Sequence, residues 1–115
     1  MTVTIYHNPR CSKSRATLAL LEERGLEPVI IDYQKTPPDI AALRNIAAQL
    51  DAPARQLVRD NEDIYQELGL NDPALSDDQL FTAITQHPIL LQRPIVIANG
   101  KARIGRPPEA VLEIL

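Results

Sequence analysis

Polar and apolar residues alternate from Thr2 through Tyr6, the two-residue period of a half-buried strand. His7-Asn8-Pro9-Arg10 breaks the alternation. A helical pattern then runs from about Ser12 to Arg24, with Gly25 as its C-terminal stop. Pro28 to Tyr33 is a short apolar run and reads as a buried strand. Strand, helix and strand make a βαβ unit, whose strands should be parallel and joined by a right-handed crossover.

Pro37-Pro38 closes that unit. Ile40, Leu43, Ile46, Ala47 and Leu50 recur at three- and four-residue spacing and predict a helix that Asp51-Ala52-Pro53 ends. Shorter helical pieces are expected around Arg55 to Val58 and Asp63 to Leu68, the second stopped by Gly69. Ser76 with Gln79 reads as a capping box for a helix carrying Leu80, Phe81 and Ile84. Ile95 to Ala98 is an apolar strand, Asn99-Gly100 a two-residue hairpin turn, and Ala102 to Gly105 the returning antiparallel strand. Arg106-Pro107-Pro108-Glu109 suits the first turn of a C-terminal helix. The expected class is α/β, one domain over residues 1–115. Its order, βαβ then ββα, is similar to that of the thioredoxin-like fold, with a helical insertion at about 39–87 between the second and third strands.

Composition narrows the function classes. Hydrophobic residues make up 44% of the 115 and aromatics only 3%, so the core is aliphatic and base stacking on single-stranded nucleic acid is disfavoured. The net charge of -3 and the lack of a basic run argue against general nucleic-acid affinity. No stretch approaches the roughly 20 apolar residues of a membrane helix, and Thr2 to Tyr6 is too short for a leader. The expectation is a cytoplasmic monomer with no bound metal or cofactor and no membrane partner.

Cys11 is the only cysteine, which removes any internal disulfide and leaves His7 and His87 as the only other soft metal ligands. It falls between a strand end and a helix start. Free N–H groups and the helix dipole favour a thiolate there, and Arg10, Lys13 and Arg15 add positive charge. Such settings lower a cysteine pKa from about 8.5 to roughly 3.5–7.5. The spacing Cys11-Ser12-Lys13-Ser14 is C-x-x-S, so a redox reaction here needs its second sulfur from outside. Glutathione and glutaredoxin are the obvious donors. A phosphatase-type C-x5-R loop would need Arg where Thr17 stands. An anionic substrate needs cations, and Arg59, Arg93 and Arg106 are candidates because the guanidinium fork suits an oxyanion.

His7-Asn8-Pro9-Arg10-Cys11 with Ser14-Arg15 resembles the active-site loop of glutaredoxin-coupled arsenate reductases. Leu57-Val58-Arg59, His87-Pro88-Ile89-Leu90, Arg93-Pro94-Ile95-Val96 and Gly105-Arg106-Pro107 resemble that family's other motifs, in order along the chain. The resemblance implies that Cys11 attacks arsenate, that Arg59, Arg93 and Arg106 hold the oxyanion, and that His7 helps keep Cys11 ionised. It further implies that Ser14 and Arg15 support the thiolate loop and that Pro94 is a cis-proline beside the cysteine. Glutathione and glutaredoxin would then reduce the covalent arsenate adduct and release arsenite. The loop departs from well-known members at Arg10 and Lys13, where they carry Ala- and Thr-like residues. Two other readings accompany the resemblance: a glutathione-dependent thiol reductase of another substrate, and an Spx-like regulator that binds RNA polymerase. Spx-type proteins often use a C-x-x-C switch, which this sequence lacks.

Overall fold

The computed structural model describes residues Thr2 to Leu115, which fall into two compact units. The first comprises the chain up to Thr36 together with Arg93–Leu115, and the second is Pro37–Gln92.

The first unit is built on four short strands: β1 (Thr4–His7), β2 (Val29–Asp32), β3 (Ile95–Ala98) and β4 (Lys101–Ile104). They lie in the order β2-β1-β3-β4. β1 pairs parallel to β2, with Thr4 opposite Val29 and His7 opposite Asp32. β3 pairs antiparallel to both β1 and β4. The parallel pair requires the crossover helix α1 (Ser12–Glu23), whose chain turns back at Gly25 with φ +74°. The β3–β4 turn places Asn99 at φ 56° and Gly100 at φ 73°, the left-handed pair that matches strand twist in a two-residue hairpin. Val3, Ile5, Leu21, Val96, Ala98, Val111 and Ile114 form an aliphatic core. Burying each large aliphatic side chain contributes roughly 1.5–3 kcal/mol before entropy is counted.

Three expectations for this unit are corrected. β1 is not half-buried: Tyr6 and His7 are buried along with Val3 and Ile5, because the strand is central and covered by neighbours on both edges. The run from Pro28 is not a buried strand either. β2 is a sheet edge, and Val29 and Ile30 are 52% and 51% exposed. The C-terminal segment Pro108–Ile114 is a 3₁₀ helix instead of an α-helix. Its first turn closes from the Ala110 N–H to the Pro107 carbonyl, while the Asn99 side-chain amide donates to the Ile114 carbonyl.

The second unit is helical. α2 (Ile40–Leu50) starts at Asp39, whose carboxylate accepts the Ala42 N–H. It ends at Asp51 in the left-handed region, φ 56°. A 3₁₀ turn (Ala54–Leu57) and the short α3 (Asp63–Glu67) follow. α4 (Asp77–Gln86) carries the Ser76–Gln79 capping box in both directions. A second 3₁₀ turn (Pro88–Leu90) leads into a bridge between Val58 and Leu91. Buried side chains here include Leu43, Ile46, Leu57, Leu80, Ile84 and Leu90. Among the described residues no helix is long and apolar enough to cross a membrane.

Gly105, just after β4, marks a tight approach in the first unit. A Cβ there would lie 2.6 Å from Thr17 Oγ1 and 2.7 Å from Pro94 Cγ. Thr17 cannot swing away freely, since it is fully buried and its hydroxyl donates to the Lys13 carbonyl. Gly105→Ala is therefore expected to cost about 1–3 kcal/mol of overpacking. That corresponds to a drop in Tm of roughly 4–12 °C, measured by thermal unfolding. An unchanged Tm would show that the contact relaxes at no cost.

Candidate active site

The link from β1 to α1 is organised by its own side chains. The Cys11 N–H donates to the Asn8 carbonyl at 3.0 Å, closing a turn over Asn8-Pro9-Arg10-Cys11. Buried Asn8 uses its Oδ1 to accept the Arg10 N–H at 3.0 Å, and its own N–H donates to Ser14 Oγ at 3.2 Å. Arg15 Nη1 donates to the Pro9 carbonyl at 3.1 Å. Ser14 and Arg15 thus brace the turn that presents Cys11, Ser14 from inside and Arg15 from the exposed face.

Cys11 is the N-cap residue of α1, with extended backbone (φ -92°, ψ 124°), and is half-buried. Its carbonyl accepts the Arg15 N–H at 3.0 Å, which leaves the earlier first-turn donors facing the thiol. Burial pushes the Cys11 thiol up. The Ser14 N–H, the Arg93 guanidinium, the Lys13 N–H and the charge of Arg106 outweigh it, so the pKa falls below its ordinary value.

The two arginines come from the ends of β3 and β4. Arg106 Nη2 lies 3.6 Å from Cys11 Sγ, and its Nε donates to the Arg93 carbonyl at 2.8 Å. The Arg93–Pro94 and Arg106–Pro107 peptide bonds are both cis, and Pro94 is buried against Gly105, whose N–H donates to the Pro94 carbonyl at 2.9 Å. One guanidinium therefore fixes the backbone of the other while both approach the sulfur.

His7 closes β1 and is buried. Burial lowers its pKa, Asp32 across the parallel pair raises it, and Arg15 lowers it further, with a net fall. His7 is thus held in its neutral form at neutral pH, and its Nδ1 has no hydrogen-bond partner among the described residues. Arg59 belongs to the second unit. There its N–H donates to the Leu90 carbonyl at 2.7 Å and its Nε to Glu62 Oε1 at 3.2 Å. Among the described residues no group of three or more His, Cys, Asp or Glu is placed to hold a metal.

Asn8, Thr17 and Gly105 matter to this geometry and were not singled out as site residues from the sequence. The Asn-Pro dipeptide was a visible turn signal for Asn8. Gly105 and Thr17 meet only in three dimensions, and no local pattern announces that.

Sheet order, cis-proline and helix-start cysteine define a thioredoxin-like domain with a single reactive-type thiol. The ArsC family profile matches residues 6–114, and the chain belongs to the ArsC family. It is 57% identical over 114 residues to the Escherichia coli K12 protein called "Uncharacterized protein YfgD", covering 98% of this chain and 96% of that one. It is 53% identical over 114 residues to a Neisseria meningitidis arsenate reductase, covering 98% and 97%. The solved structure of an arsenate reductase from Vibrio cholerae superposes with TM-score 0.97 at 54% identity, covering 100% of this chain and 98% of that one.

The direction of the Cys11 shift has two measurable consequences. The rate of alkylation by iodoacetamide should reach half its plateau below the free-thiol value of about 8.5. A midpoint at or above that value would contradict the site. Because the folded pKa is the lower one, the thiolate's contribution to stability is present above the unfolded pKa and is lost as pH falls through the folded one. Chemical denaturation from alkaline to mildly acidic pH should show that loss in the wild type and not in Cys11→Ser.

Proposed function

We propose that this chain is an arsenate reductase that uses external thiols. The observation that carries the reading is the Cys11 sulfur set at a helix start, 3.6 Å from the Arg106 guanidinium. A thiolate next to fixed cations can attack an oxyanion whose negative charge would otherwise repel it. The names of relatives about half identical over nearly the whole chain support arsenate as that oxyanion.

The steps balance as follows. The Cys11 thiolate displaces one oxygen of arsenate, which leaves as water, and forms an S–As(V) bond. Glutathione then displaces a second oxygen, again as water. A glutaredoxin thiolate attacks the glutathione sulfur, forming a mixed disulfide and leaving the As–S electron pair on arsenic. Arsenic is now As(III), still attached to Cys11, and hydrolysis releases arsenite and the thiolate. Two thiols have lost two electrons, and arsenic has gained them. Cys11 is unchanged over the cycle, which suits a chain with one cysteine.

Arg93 and Arg106 are proposed to bind the arsenate oxygens and to stabilise the charge that builds on them. Arg59 enters on its motif, Leu57-Val58-Arg59, as the third oxyanion ligand. His7, buried at the end of β1 just before the turn, is proposed to help keep Cys11 ionised. Crystals soaked in arsenate test the assignment. Arsenic should lie at bonding distance from Cys11 Sγ, with its oxygens on the guanidinium groups of Arg93, Arg106 and Arg59. Arsenate bound elsewhere, or away from these arginines, would overturn it.

A further inference from the structure

Pro9 brings no N–H to the turn between β1 and α1, which leaves the Arg10 and Cys11 N–H groups to be placed before the helix begins. Asn8 takes both. Its carbonyl accepts the Cys11 N–H at 3.0 Å, and its Oδ1 accepts the Arg10 N–H at 3.0 Å. Its own N–H donates to Ser14 Oγ at 3.2 Å, in the first turn of α1. Asn8 is 6% exposed and Ser14 is fully buried, so the bond between them is shielded from water. The Ser14 and Lys13 N–H groups are the backbone donors to the Cys11 sulfur. One residue therefore ties both the backbone of the cysteine and the helix turn that receives its sulfur.

Two of these three bonds use backbone groups that any residue could offer. The third needs a short side-chain acceptor, which closes an Asx turn across Pro9. Aspartate would supply the same oxygen, but as a carboxylate buried three residues from a thiolate it would oppose the second anion. Asparagine supplies the oxygen without the charge. We propose that Asn8 is a positioning residue for the reaction at Cys11: its side-chain oxygen locks the turn in the form that seats the sulfur on the first-turn donors of α1. Asn8 acts through Cys11 and Ser14 and is not itself a reacting group. The inference rests on the thiol chemistry of the proposed function, but its first readout needs no arsenate.

The test compares Asn8→Ala with Asn8→Ser. They differ by one acceptor, since a serine hydroxyl can take the Arg10 N–H in a weaker form of the same turn. The charged and titratable groups on the elements that meet at Cys11 are His7 before the turn, Arg10 within it, Lys13 and Arg15 on α1, and Arg93 and Arg106 at the strand ends. Both variants keep all of them, so a difference in the cysteine's titration reports the turn. The pH midpoint of Cys11 alkylation by iodoacetamide should rise by roughly 0.5–1 unit in Asn8→Ala. Asn8→Ser should recover about half of that rise or more. The kcat/KM for arsenate at neutral pH should fall about tenfold or more in Asn8→Ala, and less in Asn8→Ser. A lower Tm with an unchanged midpoint would make the Asn8 oxygen a folding contact only and overturn the proposal. Equal midpoints in the two variants would overturn it as well. If Asn8→Ala does not fold, Asn8→Ser against the wild type decides, and a midpoint at the free-thiol value of about 8.5 would count against the proposal. Midpoints that move as expected in a protein that does not reduce arsenate would support the role of Asn8 and contradict the substrate alone.

Discussion

Cys11→Ser is expected to abolish arsenate reduction, lowering turnover by about a thousandfold or more. A serine hydroxyl keeps the N-cap position and suits it well, so the fold should survive. The change removes the one atom that can bond arsenic here, because no second cysteine exists to take over. The surrounding arginines and first-turn donors remain and would still bind an oxyanion. Binding without turnover is therefore the expected pattern, visible as retained arsenate affinity by calorimetry with no arsenite formed. A variant that still turned over at a tenth of the wild-type rate would mean that another group performs the chemistry.

Arg106→Ala should be the next most damaging change, lowering kcat/KM for arsenate by about a hundredfold to a thousandfold. Three effects combine in that side chain. Its Nη2 lies 3.6 Å from the sulfur, its charge helps hold the thiol ionised, and its Nε fixes the Arg93 carbonyl at 2.8 Å. Removing it should raise the alkylation midpoint of Cys11 as well as weaken arsenate binding. Arg106→Lys separates these roles. The ammonium keeps the charge, so the midpoint should recover in large part. The planar fork is lost, so arsenate turnover should recover far less. Equal recovery of both would make Arg106 a simple point charge.

Much of this architecture was legible because local signals agreed with one another. The Ser76–Gln79 box, the Asn99-Gly100 turn, the Asp51-Ala52-Pro53 break after Leu50 and the apolar strand Ile95–Ala98 each stand where the pattern put them. The βαβ unit was readable because a glycine stop and two short apolar runs bracket one helix. Burial was less legible. Pro28 to Tyr33 looks more apolar than Thr2 to Tyr6, yet the first supplies the edge strand and the second the central one. Strand order is decided by which partners cover each side, and a run of Val and Ile carries no record of it. The C-terminal segment failed as an α-helix for a related reason. Pro107 and Pro108 suit a helix start, but the segment closes with i→i+3 bonds such as the Ala110 N–H to the Pro107 carbonyl, and the hairpin amide of Asn99 takes the Ile114 carbonyl.

The cysteine turn was legible in its chemistry and not in its bracing. A lone cysteine between strand and helix predicts N–H donors at the sulfur, and the Ser14 and Lys13 amides are there. That Arg93 and Arg106 meet follows from the Asn99-Gly100 hairpin, which sets Ile95 opposite Ile104, and their place at opposite ends of that hairpin was readable. Their approach to Cys11 depends on β3 pairing with β1, far away in sequence, and there the expected fold and the motif resemblance carried the inference. Neutral, buried His7 is what the sequence hid most completely, since the burial that lowers its pKa, against the opposing pull of Asp32 on the neighbouring strand, exists only once the sheet is assembled.

The central claim is that Cys11 performs arsenate reduction with external thiols. NADPH oxidation by the wild-type protein with glutathione, glutaredoxin and glutathione reductase, followed with and without arsenate, tests it most directly. The expected result is arsenate-dependent oxidation that produces arsenite in equal amount. No arsenate-dependent oxidation, from a folded protein whose Cys11 still alkylates with a low midpoint, would contradict the account and assign this thiolate to another substrate.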